Sequence, residues 1–298
     1  MAHRTPITLI TGFLGSGKTT LCRHILAHTT SKIAFLINEF GELAIDSKII
    51  AGRSVVMAEL AGGCVCCSLT GEFEAAVAEI IEKASPDLIV VETTGVAEPD
   101  ALIVDIQEKL TAARLDAVIT VCDADAMRRF PEIGHTSRLQ IEAADLILLN
   151  KIDLVDGEAI EELEKRLSSL NATAPVIRAV RARVDLDLLF GTEPGPRRVP
   201  GDHRHQPEFE SFAYQTGAVL DRDRFARFLE NLPAAVYRAK GFVLFPDGSE
   251  LFNFVAGRWE TEPAAARSTE LVFLGKTISR WREEIAAGLK SCEIQHAL

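Results

Sequence analysis

The chain has 298 residues, 47% of them hydrophobic and 25% charged, with a formal net charge of -11. Such a length accommodates one large or two modest domains, each with its own buried core. The acidic balance argues against nonspecific nucleic-acid binding as the main role, because a phosphate backbone needs a basic footprint; a cationic or small-molecule cargo, or a basic protein partner, fits better.

Met1 to Pro6 runs directly into a short apolar strand, with no apolar h-region or cleavage site, so no secretory signal is expected. Thr8–Thr11 is the first predicted strand, and Thr19–Ala27 the first helix. Ile33–Asn38, Leu88–Glu92, Ala117–Cys122, Leu146–Asn150 and Val176–Ala179 follow as apolar runs of the kind that parallel strands show when covered on both faces. Helical spacing separates them at Glu72–Lys83, Asp100–Lys109, Arg138–Ala143 and Gly157–Leu170. The alternation predicts an α/β P-loop NTPase domain with a mostly parallel sheet and ligands at the carboxyl ends of the strands.

Near Thr192 the chain becomes rich in Pro, Gly and charge, which predicts a linker over residues 192–207 between a domain at 1–191 and another at 208–298. Beyond it, strand-like Glu208–Gln215, a helix at Asp221–Leu232, and strands at Tyr237–Phe245, Leu251–Val255, Trp259–Thr261 and Glu270–Gly275 predict a smaller α+β domain with an antiparallel sheet. Pro246-Asp247-Gly248 is the expected hairpin turn, and a last amphipathic helix is expected over Ser279–Leu289. The apolar runs are too short to cross a bilayer, and a cytoplasmic protein with no membrane partner is expected.

Gly12-Phe13-Leu14-Gly15-Ser16-Gly17-Lys18-Thr19 matches the phosphate-binding pattern G-x-x-x-x-G-K-[ST], placed between a strand and a helix as that pattern requires. Its glycines free backbone N–H groups for phosphate oxygens at a helix N-terminus. Lys18 is expected on the β- and γ-phosphates and Thr19 on Mg²⁺, with Gly12, Gly15, Ser16, Gly17 and Thr20 completing the cradle. Glu92-Thr93-Thr94-Gly95 ends a predicted strand: Glu92 is placed to hold Mg²⁺ through water and Gly95 to offer its N–H to a γ-phosphate. Lys18, Thr19, Glu92 and Gly95 are therefore the expected catalytic set.

Asn150-Lys151-Ile152-Asp153 follows a late strand and matches N-K-x-D. Asp153 can accept from both the ring N–H and the exocyclic amine of guanine, donors that adenine does not present together, so GTP is favoured over ATP. Asn150 is expected to brace the loop, and the Lys151 stem to cover the base.

Three of the six cysteines fall within four residues, Cys64-Val65-Cys66-Cys67, after Gly62-Gly63. In a reducing compartment clustered thiols read as metal ligands or redox groups, and thiolates favour Zn²⁺, with Co²⁺, Fe²⁺ and Ni²⁺ as alternatives. The set is under-coordinated; its fourth ligand is open between Glu39, Glu42, a histidine, water and a partner's side chain. Glu39 and Glu42, after the second strand, equally suit positioning of water, contact with Mg²⁺ or a solvated acidic loop. His203 and His205 read as solvated linker residues, and Cys22, Cys122 and Cys292 as small buried hydrophobes.

Taken together, the P-loop, Gly63-Cys64-Val65-Cys66-Cys67, Glu92-Thr93-Thr94-Gly95, Asn150-Lys151-Ile152-Asp153 and, downstream, Arg238-Ala239-Lys240-Gly241 resemble the CobW family of P-loop GTPases, relatives of the hydrogenase and urease nickel-insertion GTPases. The resemblance spans nearly the whole chain. It implies a GTP-hydrolysing metallochaperone with the C-x-C-C cysteines as metal ligands, zinc as the commonest metal, and a client metalloprotein met through the C-terminal domain or the cysteine loop. It leaves room for a nucleotide- or metal-dependent homodimer. Two rival functions stay open on the residues alone: a regulatory GTPase switch with redox-sensing thiols and no metal cargo, and a small-molecule kinase.

Overall fold

The computed structural model describes residues 4–37, 56–59, 70–190 and 209–294. The chain folds as two compact units, Ala2–Arg183 and Val184–Leu298. The first is built from strands β1 (Thr5–Thr11), β2 (Ile33–Ile37), β3 (Val56–Glu59), β4 (Leu88–Glu92), β5 (Ala113–Asp123), β6 (Leu146–Asn150) and β7 (Val176–Arg178). Among the described residues these form one sheet in the order β3-β2-β4-β1-β5-β6-β7, every pair parallel.

The parallel sheet follows from the apolar runs. All five residues of β4 and of β6 are buried, as strands sandwiched between helical layers must be. The helices are α1 (Lys18–His28), α2 (Thr70–Ala84), α3 (Pro99–Glu108), α4 (Ala124–Arg129), α5 (His135–Glu142) and α6 (Gly157–Leu170). Local chemistry sets their starts. Pro99 opens α3, where its missing N–H costs nothing. Asp156 caps α6 by accepting from Ala159 N at 2.9 Å, and Leu163 and Leu167, one turn apart, bury its inner face. One core lies under α2 and α3, where Phe73, Val77, Leu102 and Ile106 meet Ile7, Leu9, Ile89 and Val91. Another joins Ile141, Leu163 and Leu167 to Ile147 and Leu149.

Register carries the functional consequence. Ile37 pairs with Glu92 and with Glu59, Ile10 pairs with Glu92, and Asp123 pairs with Asn150. The carboxyl ends of β1 to β6 therefore converge on one edge of the sheet, and the P-loop leaves β1 at that edge.

The second unit holds α7 (Leu186–Phe190), β8 (Phe209–Thr216), α8 (Arg222–Glu230), β9 (Val236–Phe245), β10 (Gly248–Val255), β11 (Arg258–Pro263), β12 (Thr269–Lys276) and α9 (Arg282–Ser291). Its sheet is antiparallel, in the order β11-β10-β9-β12-β8. Phe212, Phe225, Phe245, Phe252, Phe254 and Phe273 supply most of the core volume, with Phe212 stacked on Phe273 at 5.2 Å between ring centroids and Phe225 edge-on to Phe252 at 5.3 Å. The Arg238-Ala239-Lys240-Gly241 stretch lies in β9. Arg238 is buried and donates to Leu189 O at 3.0 Å, which ties α7 to this unit. Gly241 has φ 152°, and a β-carbon there would come 1.8 Å from Glu270 O, so the β9–β12 pairing admits no side chain at this point.

Four elements depart from the sequence reading, one of them the short helix α7, which lies between the expected Val176–Ala179 strand and the expected linker. Strand β3 has only four residues and ends in a carboxylate, too short a run to stand out, and α4 is a six-residue helix that begins directly where β5 stops. The helix expected over Ser279–Leu289 is split into a 3-10 turn, Ile278–Trp281, and α9. Thr277, in the left-handed region at φ 50°, precedes that turn. The hairpin expected at Pro246-Asp247-Gly248 joins β9 and β10. Cys22, Cys122 and Cys292 are free and buried. No described helix is long and apolar enough to cross a membrane.

Candidate nucleotide site

The P-loop turns away from β1 at Gly12 and ends at Gly17, whose φ of 113° is a left-handed conformation that glycine adopts at little cost. Lys18 is 7% exposed, and its ammonium donates to Gly12 O at 2.8 Å and Phe13 O at 3.2 Å, so the cation is held folded back over its own loop. Ser16 is 1% exposed, and its hydroxyl finds no hydrogen-bond partner among the described residues.

Thr19 and Glu92 meet across the carboxyl edge. Thr19 Oγ1 donates to Glu92 Oε1 at 2.8 Å, and the carboxylate is buried at the end of β4. On the protein side of Glu92 lies Cys22, one turn further along α1. Burial, followed by the charge of Glu92 and a hydrogen bond to it, pushes the Cys22 thiol well above its ordinary range, so this sulfur stays protonated and donates.

After Glu92 the chain continues into the Thr94–Ala97 turn, closed by Ala97 N donating to Thr94 O at 3.1 Å. Thr93 N donates to Ile10 O at 3.0 Å, which carries the turn alongside the end of β1. Gly95 there approaches the P-loop so closely that a β-carbon would lie 2.5 Å from Leu14 N. Leu14, Gly15, Gly17, Lys18, Thr19, Thr20, Glu92, Thr93, Thr94 and Gly95 line a cavity of about 210 Å³. The expected catalytic set, Lys18, Thr19, Glu92 and Gly95, thus falls around one cavity, together with Gly15, Gly17 and Thr20; Gly12 and Ser16 are not among its lining residues.

Asn150, 2% exposed, is a two-way brace. Its Nδ2 donates to Ser16 O at 2.9 Å, and its Oδ1 accepts from Ala182 N at 2.8 Å. Lys151 follows in the left-handed region at φ 61°, and its ammonium meets Asp123 Oδ2 at 2.6 Å. Asp123 uses its other oxygen to cap α4, accepting from Ala126 N at 3.0 Å. Asp153 stands in the 3-10 turn Ile152–Leu154 with its carboxylate exposed.

Sequence reasoning missed Asp123, Gln140 and the turn after β7. Arg181 and Ala182 both take left-handed φ, 52° and 53°, to bring the Ala182 N–H to Asn150. Neither residue is a Gly, Asn or Asp that would have signalled such a turn. Gln140 is buried between α5 and the Thr94–Ala97 turn. Cys64, Cys66, Cys67, Glu39, Glu42, His203 and His205 lie outside the described residues, and among the described residues no group of three or more His, Cys, Asp or Glu could hold a metal ion.

Comparison with known proteins places the chain among relatives of both units. The family model for the CobW/HypB/UreG nucleotide-binding domain matches residues 6–178, and that for the cobalamin synthesis protein cobW C-terminal domain matches residues 209–293. A protein of Escherichia coli K12 named zinc chaperone YjiA is 40% identical, over 76% of each chain. A Sinorhizobium protein named zinc chaperone CobW is 31% identical over 91% of this chain and 93% of its own. Among solved structures, the Zn(II)-bound YjiA GTPase from E. coli aligns over 98% of this chain and all of its own, at 28% identity and a TM-score of 0.48.

Proposed function

This chain belongs to the CobW/HypB/UreG family of P-loop GTPases, and from that premise we propose that it is a metallochaperone whose hold on its metal is set by the nucleotide it carries. The observation that carries the reading is the seating of Gly95 against Leu14 N, because it puts a turn that can sense a γ-phosphate directly on the loop that binds phosphates.

Each residue has a role in this scheme. Lys18 exchanges the carbonyls of Gly12 and Phe13 for the β- and γ-phosphate oxygens of GTP, a stronger, charge-assisted pairing. Gly12, Gly15, Ser16 and Gly17 supply the cradle, with Thr20 at its edge. Asn150 keeps the cradle and the base loop in fixed relation, Lys151 lies along the base, and Asp153 accepts from guanine. Thr19 Oγ1 and Glu92 Oε1, hard oxygens 2.8 Å apart at the cavity wall, would hold Mg²⁺. Mg²⁺, when bound, neutralises charge on the phosphates. The reaction is GTP and water to GDP and phosphate, and Gly95 N–H registers which of the two states is present.

Zinc is the cargo in this reading, held by the thiolates of Cys64, Cys66 and Cys67 for delivery to a client metalloprotein. Support comes from the relatives' names and from topology: β3 ends at Glu59, in register with Ile37 and through it with Glu92, and the cysteines follow before α2 opens at Thr70. Glu39 and Glu42, which follow β2, are the candidates to complete the metal site.

Competition titration of zinc against a chromophoric chelator, on anaerobically purified protein with a GTP analogue and with GDP, tests the coupling. Affinities differing by about 5- to 150-fold are expected, the usual span for coupled sites; identical affinities would remove the nucleotide from metal handling. Cys66→Ser is expected to weaken zinc binding and spare nucleotide binding, whereas equal loss of both would make the cysteines structural.

A further inference from the structure

Gln140 on α5 is 1% exposed, and its side-chain nitrogen donates to Ala97 O at 2.9 Å and to Gly95 O at 3.3 Å. Both acceptors belong to the Thr94–Ala97 turn. A carboxamide nitrogen carries two N–H donors, and two carbonyls consume both, so the orientation of the amide is dictated by its partners. The backbone of the same residue is anchored from behind: Gln140 O accepts from Thr120 Oγ1 at 2.6 Å, and Thr120 Oγ1 lies 3.0 Å from Thr11 Oγ1. Thr11 is the last residue of β1, immediately before Gly12. A short polar chain therefore runs from the root of the P-loop, through β5 and α5, to the far side of the turn whose near side rests on Leu14.

An amide in a helix face that packs inward is costly unless its hydrogen bonds are made. Here both bonds donated by the side-chain nitrogen go to the turn that bears Gly95. Fixing the Gly95 and Ala97 carbonyls restrains the backbone torsions on both sides of Val96 and limits how far the Gly95 N–H can swing from the cavity. We propose that Gln140 is a positioning residue for the GTPase reaction, holding the Thr94–Ala97 turn at the height where Gly95 N–H meets a γ-phosphate. The proposal rests on the reading of Gly95 as the γ-phosphate sensor. Gln140 acts through the turn, by way of the Gly95 and Ala97 carbonyls.

Gln140→Met keeps the side-chain volume and removes both donors, and Gln140→Glu keeps the shape while setting a carboxylate against two carbonyls. In both variants GDP affinity is expected to stay within about twofold of the parent. Affinity for a non-hydrolysable GTP analogue and kcat are each expected to fall about tenfold, the scale of one or two neutral hydrogen bonds, while KM for GTP rises in step with the analogue's Kd. Equal losses for GDP and analogue would make the residue merely structural, and unchanged discrimination in a folded variant would overturn the proposal. Should neither variant fold, the parent still decides: the side-chain amide proton resonances of Gln140 are expected to shift between the GDP and analogue states, and resonances that stay put would refute the role. A parent chain that does not distinguish analogue from GDP at all would instead refute the γ-phosphate sensor on which the proposal stands.

Discussion

The carboxamide of Asn150 occupies the space that any side chain on Gly17 would need: a β-carbon on Gly17 would lie 2.4 Å from Asn150 Nδ2, the nitrogen that donates to Ser16 O at 2.9 Å. The phosphate loop and the base loop are thereby one interlocked piece, although 134 positions separate Ser16 from Asn150 in the chain. Gly17→Ala is expected to break it twice over, by this clash and by the cost of holding alanine at φ 113°. Isothermal titration with GTP and GDP should show both affinities reduced at least about 100-fold, since about 3 kcal/mol of displaced loop falls on both nucleotides alike.

Asn150→Ala removes the other half of the lock. It leaves Ser16 O and Ala182 N–H without their partner in a buried place, and a stability loss of about 2–4 kcal/mol is expected in denaturant melts. Nucleotide should recover part of that loss, because a ligand on the P-loop restores order that Asn150 supplied. A variant as stable as the parent would show that the two bonds are replaced by water.

Asp153→Asn should reverse base preference without disturbing the P-loop. The carboxylate is exposed and takes no part in the fold's core, so melting temperature is expected to stay near that of the parent. Loss of a charged acceptor should weaken GTP by about 10- to 100-fold. Xanthosine triphosphate, which offers a carbonyl where guanine has its amine, should gain. Competition between the two nucleotides reads this directly, and unchanged GTP preference would place guanine recognition elsewhere.

Thr19→Ala separates phosphate binding from metal-assisted binding. The hydroxyl bonds Glu92 at 2.8 Å, and its removal leaves Lys18 in place. GDP affinity in the absence of Mg²⁺ should be nearly unchanged, while the gain in GTP affinity on adding Mg²⁺ should shrink about tenfold or more, with kcat falling alongside. Equal behaviour with and without Mg²⁺ in the parent would exclude this pair as its site.

The buried thiols predict an alkaline limit. Burial, reinforced by the negative charge of Asp123, raises Cys122 to about 12, and burial beside Glu92 raises Cys22. A thiol raised in the folded state is protonated there while the unfolded thiol, at its ordinary value near 9.0, has already ionised. For Cys122 the stability contribution is thus complete below that value and declines as pH rises from it toward about 12, by about 1.4 kcal/mol per pH unit. Denaturant melts of the parent and Cys122→Ala should coincide in shape at pH 8 and diverge above pH 9, the parent losing stability faster. At pH 8 neither thiol should react with iodoacetamide until the chain unfolds.

The P-loop, the Asn150–Asp153 loop and the parallel strands were readable in the chain because each depends on residues close in sequence: glycines that permit a tight turn, a helix start, an apolar run, a carboxylate at a strand end. The hairpin between Phe245 and Gly248 was readable for the same reason. What local chemistry could not reveal is which distant groups would meet. The bond from Thr19 to Glu92, the seat of Gly95 on Leu14, the salt bridge from Lys151 to Asp123 and the grip of Gln140 on the 94–97 turn all depend on strand order and register, which bring residues far apart in the chain to one edge of the sheet. Residue type alone singled out neither Gln140, inside the helix expected over Arg138–Ala143, nor Ala182. Only the packing of α5 and the turn after β7 against that edge makes the first a donor to two carbonyls and the second the partner of Asn150, because a buried polar group acquires its meaning from whatever the fold sets against it.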